Sequence, residues 1–494
     1  MNRKIVFNVT GRLLEVLALI LMLPAIVSVI YREKCLISFL ITAAISFVLG
    51  LVMRLATRNH SKNLYAKEGF LIVSLAWLSA SLLGCLPFVI SREIPSFFDA
   101  FFETVSGFTT TGASAITNVE SLSHGILFWR SFTHWMGGMG VLVFVVAFAS
   151  NISDRAMHIL RAEMPGPVVG KLVPRAKDTS KVLYIMYIVL TFVQIVLLWC
   201  GDMNLFESVV HTLGTAGTGG FGIKSDSISG YSAYSQWIIA AFMFMFGINF
   251  NLYYLVMIKR YKSALKSTEL WSYIGIFAFS VGLIAVNINH MFPSFGETIR
   301  HSVFQVSSII TTTGYATVDF DTWPQFSKAV LLILMFIGAC AGSTAGGLKV
   351  SRIVILVKMG FREIKHMVHP RSVGSVKFEG KEVDDYTKKS VTTYLAVYMI
   401  CFFIVFLLLS LDPYPDAMKL QHPNLDVSPF ETTFSATTAC FNNIGPGFNL
   451  VGPTGSFAGF SNFSKVLLSF AMLFGRLEIF PLLIALNPAT WKKR

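Results

Sequence analysis

The hydrophobic residues of this 494-residue chain form long apolar segments separated by short polar ones. A helix needs about 20 apolar residues to cross roughly 30 Å of hydrocarbon, and segments of that length can be placed about ten times. They lie at about 11–30, 36–55, 68–90, 126–150, 182–200, 234–258, 270–290, 326–357, 390–411 and 464–487. The pattern predicts an all-α polytopic membrane protein that retains its first apolar segment, which lacks a cleavage site.

A second pattern repeats four times: a hydrophobic helix, a short Phe-rich segment, a glycine-containing polar loop and another hydrophobic helix. The short segments are Phe97–Phe108, Phe206–Gly217, Thr298–Ile310 and Phe430–Cys440. Their near-helical spacing of apolar residues predicts half-length helices that enter the membrane and end at the loops. Such helices direct the negative ends of their dipoles toward the loops, which favours cations over anions.

The polar loops read TTTGAS, GTGGFG, TTTGYA and FNNIGPG. A polar loop at membrane depth cannot face lipid, because its backbone groups would be unpaired, so it must line a path for water or ions. Rings of carbonyls can replace the water around a cation, and glycine permits the backbone conformations that turn carbonyls inward. The predicted filter residues are Thr110, Thr111 and Gly112; Gly217, Thr218 and Gly219; Thr312, Thr313 and Gly314; and Asn443, Ile444 and Gly445. Any one loop could be an ordinary turn or helix cap, but four in matched positions favour one pore with fourfold pseudosymmetry.

The predicted organisation is two extra N-terminal helices followed by four pseudo-symmetric repeats of helix, re-entrant pore loop and helix around one central pore. The hairpin covers 1–66, the repeats cover 67–154, 180–266, 267–360 and 386–494, and cytoplasmic loops cover 155–179 and 361–385.

Composition and charge exclude several classes of protein. A hydrophobic content of 54% with 14% charged residues is far from that of an ordinary soluble protein. The net charge of +13 could suggest nucleic acid. With the N-terminus inside, however, most Lys and Arg fall on the cytoplasmic side, so we expect an oriented membrane protein with cytoplasmic termini and lipid contacts, and no nucleic acid.

Neither enzyme nor cofactor chemistry is indicated. The six cysteines are scattered without close pairing, which argues against a disulfide framework and a zinc site. GTGGFG lacks the strand and helix context of a nucleotide loop, and no paired catalytic carboxylates are present. We expect no catalytic activity and no cofactor on this chain.

The eighth apolar segment is interrupted at 338–347 by small residues that cannot hold a stable lipid-facing helix, although a small-residue packing face is an alternative. Arg476 lies inside the last segment, where an unpaired guanidinium costs about 3 kcal/mol or more, so it must face water, a carboxylate or the pore. Lys349 and Arg352 are expected to extend to the inner interface. Near the short helices, Glu103, Glu207 and Glu431 are expected in first turns, where negative charge suits the dipole, and the histidines are expected to form local hydrogen bonds.

Several sequence segments resemble those of the TrkH/KtrB/HKT superfamily of potassium transporters. They are the four loops, GACAGSTAGGLKVSR (338–352), GRLEIFP (475–481), TTTGYATVDFDTWPQF (311–326) and NNIGPGFNLVGP (442–453). The initial hairpin favours the TrkH branch, found in bacterial Trk systems. In plant members a serine in place of the first filter glycine is associated with sodium preference, and Gly112 is a glycine, so the resemblance implies potassium as the transported ion.

The resemblance also implies a gate and partners. It identifies Gly342, Ser343, Thr344, Ala345, Gly346 and Gly347 as an intramembrane gate that acts together with Arg476. It implies a homodimer in the bacterial inner membrane that binds a cytosolic TrkA-type regulatory subunit, which would carry the nucleotide. A sodium- or proton-coupled potassium cotransporter remains the alternative, although repeats running in one direction fit a channel better than inverted repeats do.

Overall fold

The structure is a computed structural model and describes residues 2–59, 66–140, 176–372, 374–421 and 427–491. The described chain is helical except for its loops and one antiparallel hairpin of β1 (Lys377–Phe378) and β2 (Lys381–Glu382). It is an all-α polytopic membrane protein. The predicted loop 155–179 lies largely outside the described residues.

An N-terminal hairpin packs mainly against the helices of the first repeat. It consists of α1 (Arg3–Ile20), α2 (Met22–Ile30) and α3 (Leu36–Ala56). Helices α1 and α3 approach at Gly11 and Gly50, where a Cβ on Gly50 would lie 2.6 Å from the Gly11 carbonyl oxygen. Small residues allow such close backbone packing inside a membrane.

Each repeat contains a first helix, a short pore helix and a second helix. The first repeat has α4 (Ala66–Gly84), α5 (Leu86–Ser91), α6 (Phe97–Phe108) and α7 (His124–Gly138); the second has α8 (Ala176–Trp199), α9 (Leu205–Gly217), α10 (Ala233–Phe246), α11 (Phe250–Met257) and α12 (Tyr261–Leu265). The third has α13 (Thr268–Ile288), α14 (Phe295–Ile310), α15 (Gln325–Ile337) and α16 (Val350–Val368); the fourth has α17 (Asp385–Leu409), α18 (Tyr414–Gln421), α19 (Pro429–Phe441), α20 (Asn462–Arg476), α21 (Phe480–Leu486) and α22 (Pro488–Trp491). The pore helices α6, α9, α14 and α19 agree closely with the predicted short segments.

Within the described residues, six helices are long and apolar enough to cross a membrane, and a seventh span results if α10 and α11, bent by 91°, count as one. The second helices α7, α10, α15 and α20 have only 15, 14, 13 and 15 residues. Because a crossing needs about 20, each stops part-way. The predicted interruption of the eighth segment is present. The continuous spans predicted at 234–258 and 464–487 are wrong, because the chain breaks between Phe246 and Phe250 and between Arg476 and Phe480.

The start of each second helix is attached to the end of the first helix in the same repeat by a serine. The acceptors are carboxylate or amide oxygens, and three of the serines are N-caps. The backbone N–H donates from Ser123 to Glu93 (2.8 Å), from Ser232 to Asp202 (2.8 Å) and from Ser461 to Asp412 (2.9 Å), and the Ser327 hydroxyl donates to Asn287 (2.8 Å). These bonds stabilise the helix starts and hold each pore helix between its two neighbours.

Candidate ion-conducting site

The four loops that follow the pore helices share one backbone conformation. Each has a non-glycine residue in the left-handed region and, two residues later, a glycine with positive φ. The pairs are Thr110 (56°) and Gly112 (81°), Thr218 (55°) and Gly220 (77°), Thr312 (56°) and Gly314 (87°), and Asn443 (58°) and Gly445 (99°). Left-handed non-glycine residues are uncommon, so four at matched positions show that the repeats build the same loop.

These glycines close the four loops into a ring. A Cβ on each would collide with a carbonyl oxygen of the next loop. The distance from this added Cβ to the carbonyl oxygen is 2.0 Å for Gly112 and Gly219, 2.1 Å for Gly220 and Thr313, 2.1 Å for Gly314 and Ile444, and 2.7 Å for Gly445 and Thr111. Each loop therefore touches the next, and the fourth touches the first. Only glycine leaves room for this approach.

The second loop lies one residue later than the sequence predicted. Gly217 is the last residue of α9, and the residues equivalent to the other triplets are Thr218, Gly219 and Gly220. Gly219 packs against the His134 ring, where a Cβ would lie 2.3 Å from Cγ, while Gly220 carries the positive φ. Gly220 also lines the same cavity of about 130 Å³ as the other three ring glycines. The adjacent glycines of GTGGFG permit either register, and packing selects the later one.

Side chains join neighbouring loops to each other. The Asn443 amide donates to Thr111 Oγ1 (3.0 Å) and to the Met472 carbonyl (2.9 Å), which ties the fourth loop to the first and to α20. The Thr111 hydroxyl also lies 2.8 Å from that of Thr109, and the same pair recurs as Thr311 and Thr313. The departure of the fourth loop from Thr to Asn thus supplies a cross-link.

Two further residues brace the ring from behind, and sequence reasoning missed this role. His134 accepts from the Phe221 N–H (3.2 Å) through Nε2 and donates from Nδ1 to the Gly107 carbonyl (2.8 Å). The Tyr315 hydroxyl donates to the Phe221 and His211 carbonyls at 3.0 and 3.2 Å. The partners of His134 are distant in sequence: Phe221 is 87 residues away and Gly107 is 27 residues away. No local pattern could have revealed these two bonds.

A buried ion pair supports the first pore helix. Arg130 Nη2 lies 2.6 Å from Glu103 Oε1, with the two side chains 2% and 0% exposed. Arg130 also donates to the Gly222 carbonyl (3.2 Å) and stacks on Phe221. The predicted first-turn position of Glu103 is wrong, because Glu103 lies in the middle of α6 and Asp99 occupies the first turn. Glu207 and Glu431 do lie in first turns.

Beneath the ring, an intramembrane loop of residues 338–349 separates α15 from α16, in agreement with the predicted interruption. The loop packs on the bend between α10 and α11: Cys340 N–H donates to the Gly247 carbonyl (3.1 Å), and Phe250 N–H donates to that of Gly342 (3.0 Å). On its upper side, Gly346 N–H donates to Thr312 Oγ1 (2.7 Å). The loop therefore lies directly against the ring.

Arg476 attaches the intramembrane loop to the first repeat. Its Nη1 donates to the Thr344 carbonyl (2.7 Å), and its Nη2 donates to the carbonyls of Gly138 (2.9 Å) and Gly137. It lines a cavity of about 60 Å³ together with loop residues that include Gly342, Ser343, Ala345, Gly346 and Gly347. Arg476 thus lines a cavity and donates to backbone carbonyls of the intramembrane loop and of α7.

Lys349 and Arg352 do not extend to an interface as predicted, since they are only 8% and 7% exposed. Arg352 pairs with Glu478 and stacks over the Tyr394 ring at 4.2 Å. Lys349 Nζ donates to the Ala345 carbonyl. Lys349 and Arg476 line the cavity beside the intramembrane loop, and their positive charge opposes entry of a cation there.

The donor set of the ring consists of carbonyl, hydroxyl and amide oxygens. Over the described ranges, no group of His, Cys, Asp and Glu side chains is placed to hold a metal ion. Divalent cations in proteins usually recruit carboxylates, whereas a ring of neutral oxygens suits a dehydrated alkali ion.

Comparison with known proteins gives concordant results. The family model for TrkH, described as a cation transport protein, matches residues 36–493. The chain is 34% identical over 501 residues to the Trk system potassium uptake protein TrkH of Escherichia coli (strain K12), covering 100% of both, and 34% identical over 495 residues to TrkG of that strain, covering 99% of both. Its structure matches the crystal structure of the potassium transporter TrkH from Vibrio parahaemolyticus with a TM-score of 0.87 and 32% identity, covering 100% of both chains.

Proposed function

The chain belongs to the TrkH family of cation transport proteins, and we propose that the ring of four loops is the filter through which it takes up potassium. Like its relatives, it is a potassium uptake transporter, and it is not an enzyme. The observation that carries the filter proposal is the closed cycle in which each loop glycine abuts a carbonyl of the next loop.

The filter would be formed by backbone carbonyls of three successive residues per loop. They are Thr110, Thr111 and Gly112; Thr218, Gly219 and Gly220; Thr312, Thr313 and Gly314; and Asn443, Ile444 and Gly445. Carbonyl oxygens would replace the hydration shell of the ion. The C-terminal ends of four pore helices face the loops and add negative potential there.

The gate would be the part of the intramembrane loop from Gly342 to Gly347, held shut by Arg476. In support, the loop bonds to the filter residue Thr312 through Gly346 and to Arg476 through Thr344, and the guanidinium adds a positive charge beside the same cavity. Opening requires the Arg476 hydrogen bonds to Thr344, Gly137 and Gly138 to break. A cation then meets neither the loop nor the positive charge at that position.

The proposed setting follows from the family. The chain would act as a homodimer in the bacterial inner membrane, with both termini cytoplasmic and the repeats divided at the predicted boundaries. A cytosolic TrkA-type subunit would bind the nucleotide and control the gate, and this chain would bind only the transported potassium. Contacts with that subunit would come from the basic segments on the cytoplasmic side.

Uptake of rubidium and potassium into liposomes that contain the purified chain tests this function. We expect flux that follows the electrochemical gradient, exceeds that of sodium and rises when the regulatory subunit and its nucleotide are added. Uphill potassium accumulation driven by a sodium or proton gradient would instead support a cotransporter. Flux no greater than in empty liposomes, in all conditions, would refute both.

A further inference from the structure

The left-handed residues of the four loops have equivalent backbones, yet their side-chain oxygens differ in their partners. Thr218 Oγ1 donates to its neighbour Gly217 (2.6 Å), and Asn443 uses its amide for cross-links. Thr110 Oγ1 is buried and makes no hydrogen bond in the described structure. Thr312 Oγ1 alone among these four accepts a hydrogen bond from the intramembrane loop, from Gly346 N–H at 2.7 Å.

We propose that Thr312 is a positioning residue that couples the gate to the filter: its hydroxyl oxygen holds the intramembrane loop closed through Gly346 and becomes available to the conducted ion when the loop leaves. This inference rests on the proposed function. It assigns to one repeat a role that its three equivalents do not share.

Close packing around Gly346 stabilises its hydrogen bond to Thr312. A Cβ on Gly346 would lie 2.6 Å from the Asn442 carbonyl oxygen, 3.1 Å from Asn443 Cβ and 3.3 Å from Thr312 Oγ1. Thr312 is 0% exposed, and Gly346 is buried. Because Gly346 is buried, removal of the acceptor takes away the hydrogen bond that its N–H makes in this structure and destabilises this position of the loop.

The same contact links ion occupancy to gate position. A cation at the lower end of the filter attracts the oxygen lone pairs that Gly346 N–H now uses, so the ion and the closed loop compete for Thr312 Oγ1. Thermodynamic linkage makes such competition reciprocal: occupancy by the ion favours opening, and opening favours occupancy. Thr110 Oγ1, which bonds to no loop, shows the arrangement that Thr312 would reach after opening.

The test compares Thr312→Val, Gly346→Ala and the double variant, using rubidium flux from liposomes with the chain alone. The matched control is Thr212→Val, because Thr212 lies in α9 outside the filter residues and its buried Oγ1 makes no hydrogen bond in the described structure. We expect Thr312→Val to raise flux about tenfold, because it destabilises the closed loop by removing the acceptor of a buried N–H. Gly346→Ala should raise flux as well, by pressing the loop off Asn442. Since both variants break one contact, the double variant should not exceed the larger single effect. Thr212→Val should leave the flux unchanged.

Unchanged or lower flux in Thr312→Val that elutes as a folded species would overturn the coupling, as would an equal rise in Thr212→Val or multiplicative effects in the double variant. Should Thr312→Val fail to fold, Gly346→Ala and Thr312→Ser decide: Thr312→Ser retains the hydroxyl, so its flux should lie below that of Gly346→Ala, and the reverse order contradicts the coupling. If no variant and no wild-type sample conducts rubidium above empty liposomes, the proposed function itself fails.

Discussion

The two halves of this molecule treat the fourfold repeat differently. In the ring half, which contains the pore helices, the four loops and the starts of the second helices, each repeat uses the same backbone geometry and the same first-to-second helix attachment. In the break half, where the second helices end, the described chain takes a different course in the second, third and fourth repeats. It makes a 91° bend after Phe246, a loop over 338–349 and a turn at Glu478 and Ile479.

The difference fits the roles that we propose for the two halves, a filter and a gate. A ring that surrounds an ion needs comparable oxygens on all sides, so every repeat must supply one, and a defect in any repeat opens the ring. A barrier needs only one element that can occupy or leave the axis, so the other repeats are free to diverge. Four variants, taken from the largest expected effect to the smallest, test this distinction.

Gly220→Ala tests the symmetry of the ring and the register of the second loop. Its positive φ of 77° and a Cβ 2.1 Å from the Thr313 carbonyl oxygen leave no strain-free conformation for alanine. We expect potassium flux to fall about a thousandfold, since backbone strain and overpacking together cost several kcal/mol. Gly222→Ala is the control, because its nearest atom is 3.5 Å away. Equal flux in the two variants would remove Gly220 from the ring.

Glu103→Gln tests whether the ring half depends on side chains that only one repeat possesses. Loss of the buried partner of Arg130 should lower the free energy of unfolding by about 3 kcal/mol. Thermal unfolding in detergent measures this effect. The control is Glu207→Gln, which removes a carboxylate from the capping box of α9 and should cost about 0.5–1 kcal/mol. Similar losses in both would mean that the Arg130 pair contributes little.

Arg476→Ala tests the barrier of the break half. Removing the guanidinium breaks its bonds to Thr344, Gly137 and Gly138 and also removes a positive charge. We expect flux through the chain alone to rise on the order of tenfold, the effect of losing one charged hydrogen bond or more. Arg476→Lys keeps the positive charge but loses the planar guanidinium that bonds to three carbonyls, so its flux should rise less than that of Arg476→Ala. A folded Arg476→Ala protein with unchanged flux would exclude Arg476 from the gate.

Asp412 gives the ring half a weak acid sensitivity. Burial would raise the pKa of this carboxyl, but hydrogen bonds from Ser461, Ser464 and the Tyr414 backbone outweigh burial and hold the pKa below its ordinary 3.8. A lowered folded-state pKa contributes stability above the unfolded value, and that contribution is lost as pH falls through the folded value. Asp412→Asn should therefore flatten the decline in melting temperature below pH 3.8. An identical decline in the variant would contradict this assignment.

The local sequence sufficed for the pore helices. Their Phe-rich periodicity and the polar loops that follow them placed α6, α9, α14 and α19 close to their observed bounds, and the eighth-segment glycines located the intramembrane loop. It did not suffice for the other helix breaks. Apolar residues continue on both sides of Gly247 and Ile479, so hydrophobicity averaged over a window predicted a straight span at each position. The polar Asn249 after the first break and Arg476, Glu478 and Pro481 around the second were the only local signals of a bend.

The sequence by itself determined that the chain lies in a membrane, that it carries four loops unable to face lipid, and that these loops contain glycines, because hydrophobicity and backbone freedom are properties of residues and their near neighbours. Only the tertiary structure decided that Gly220 and not Gly219 takes the ring position, that Arg352 pairs with Glu478, and that Gly346 lies on Thr312. The Gly346–Thr312 contact joins residues 34 apart in sequence, the Arg352–Glu478 pair joins residues 126 apart, and the position of Gly220 depends on its packing against the third loop. No local pattern encodes such contacts.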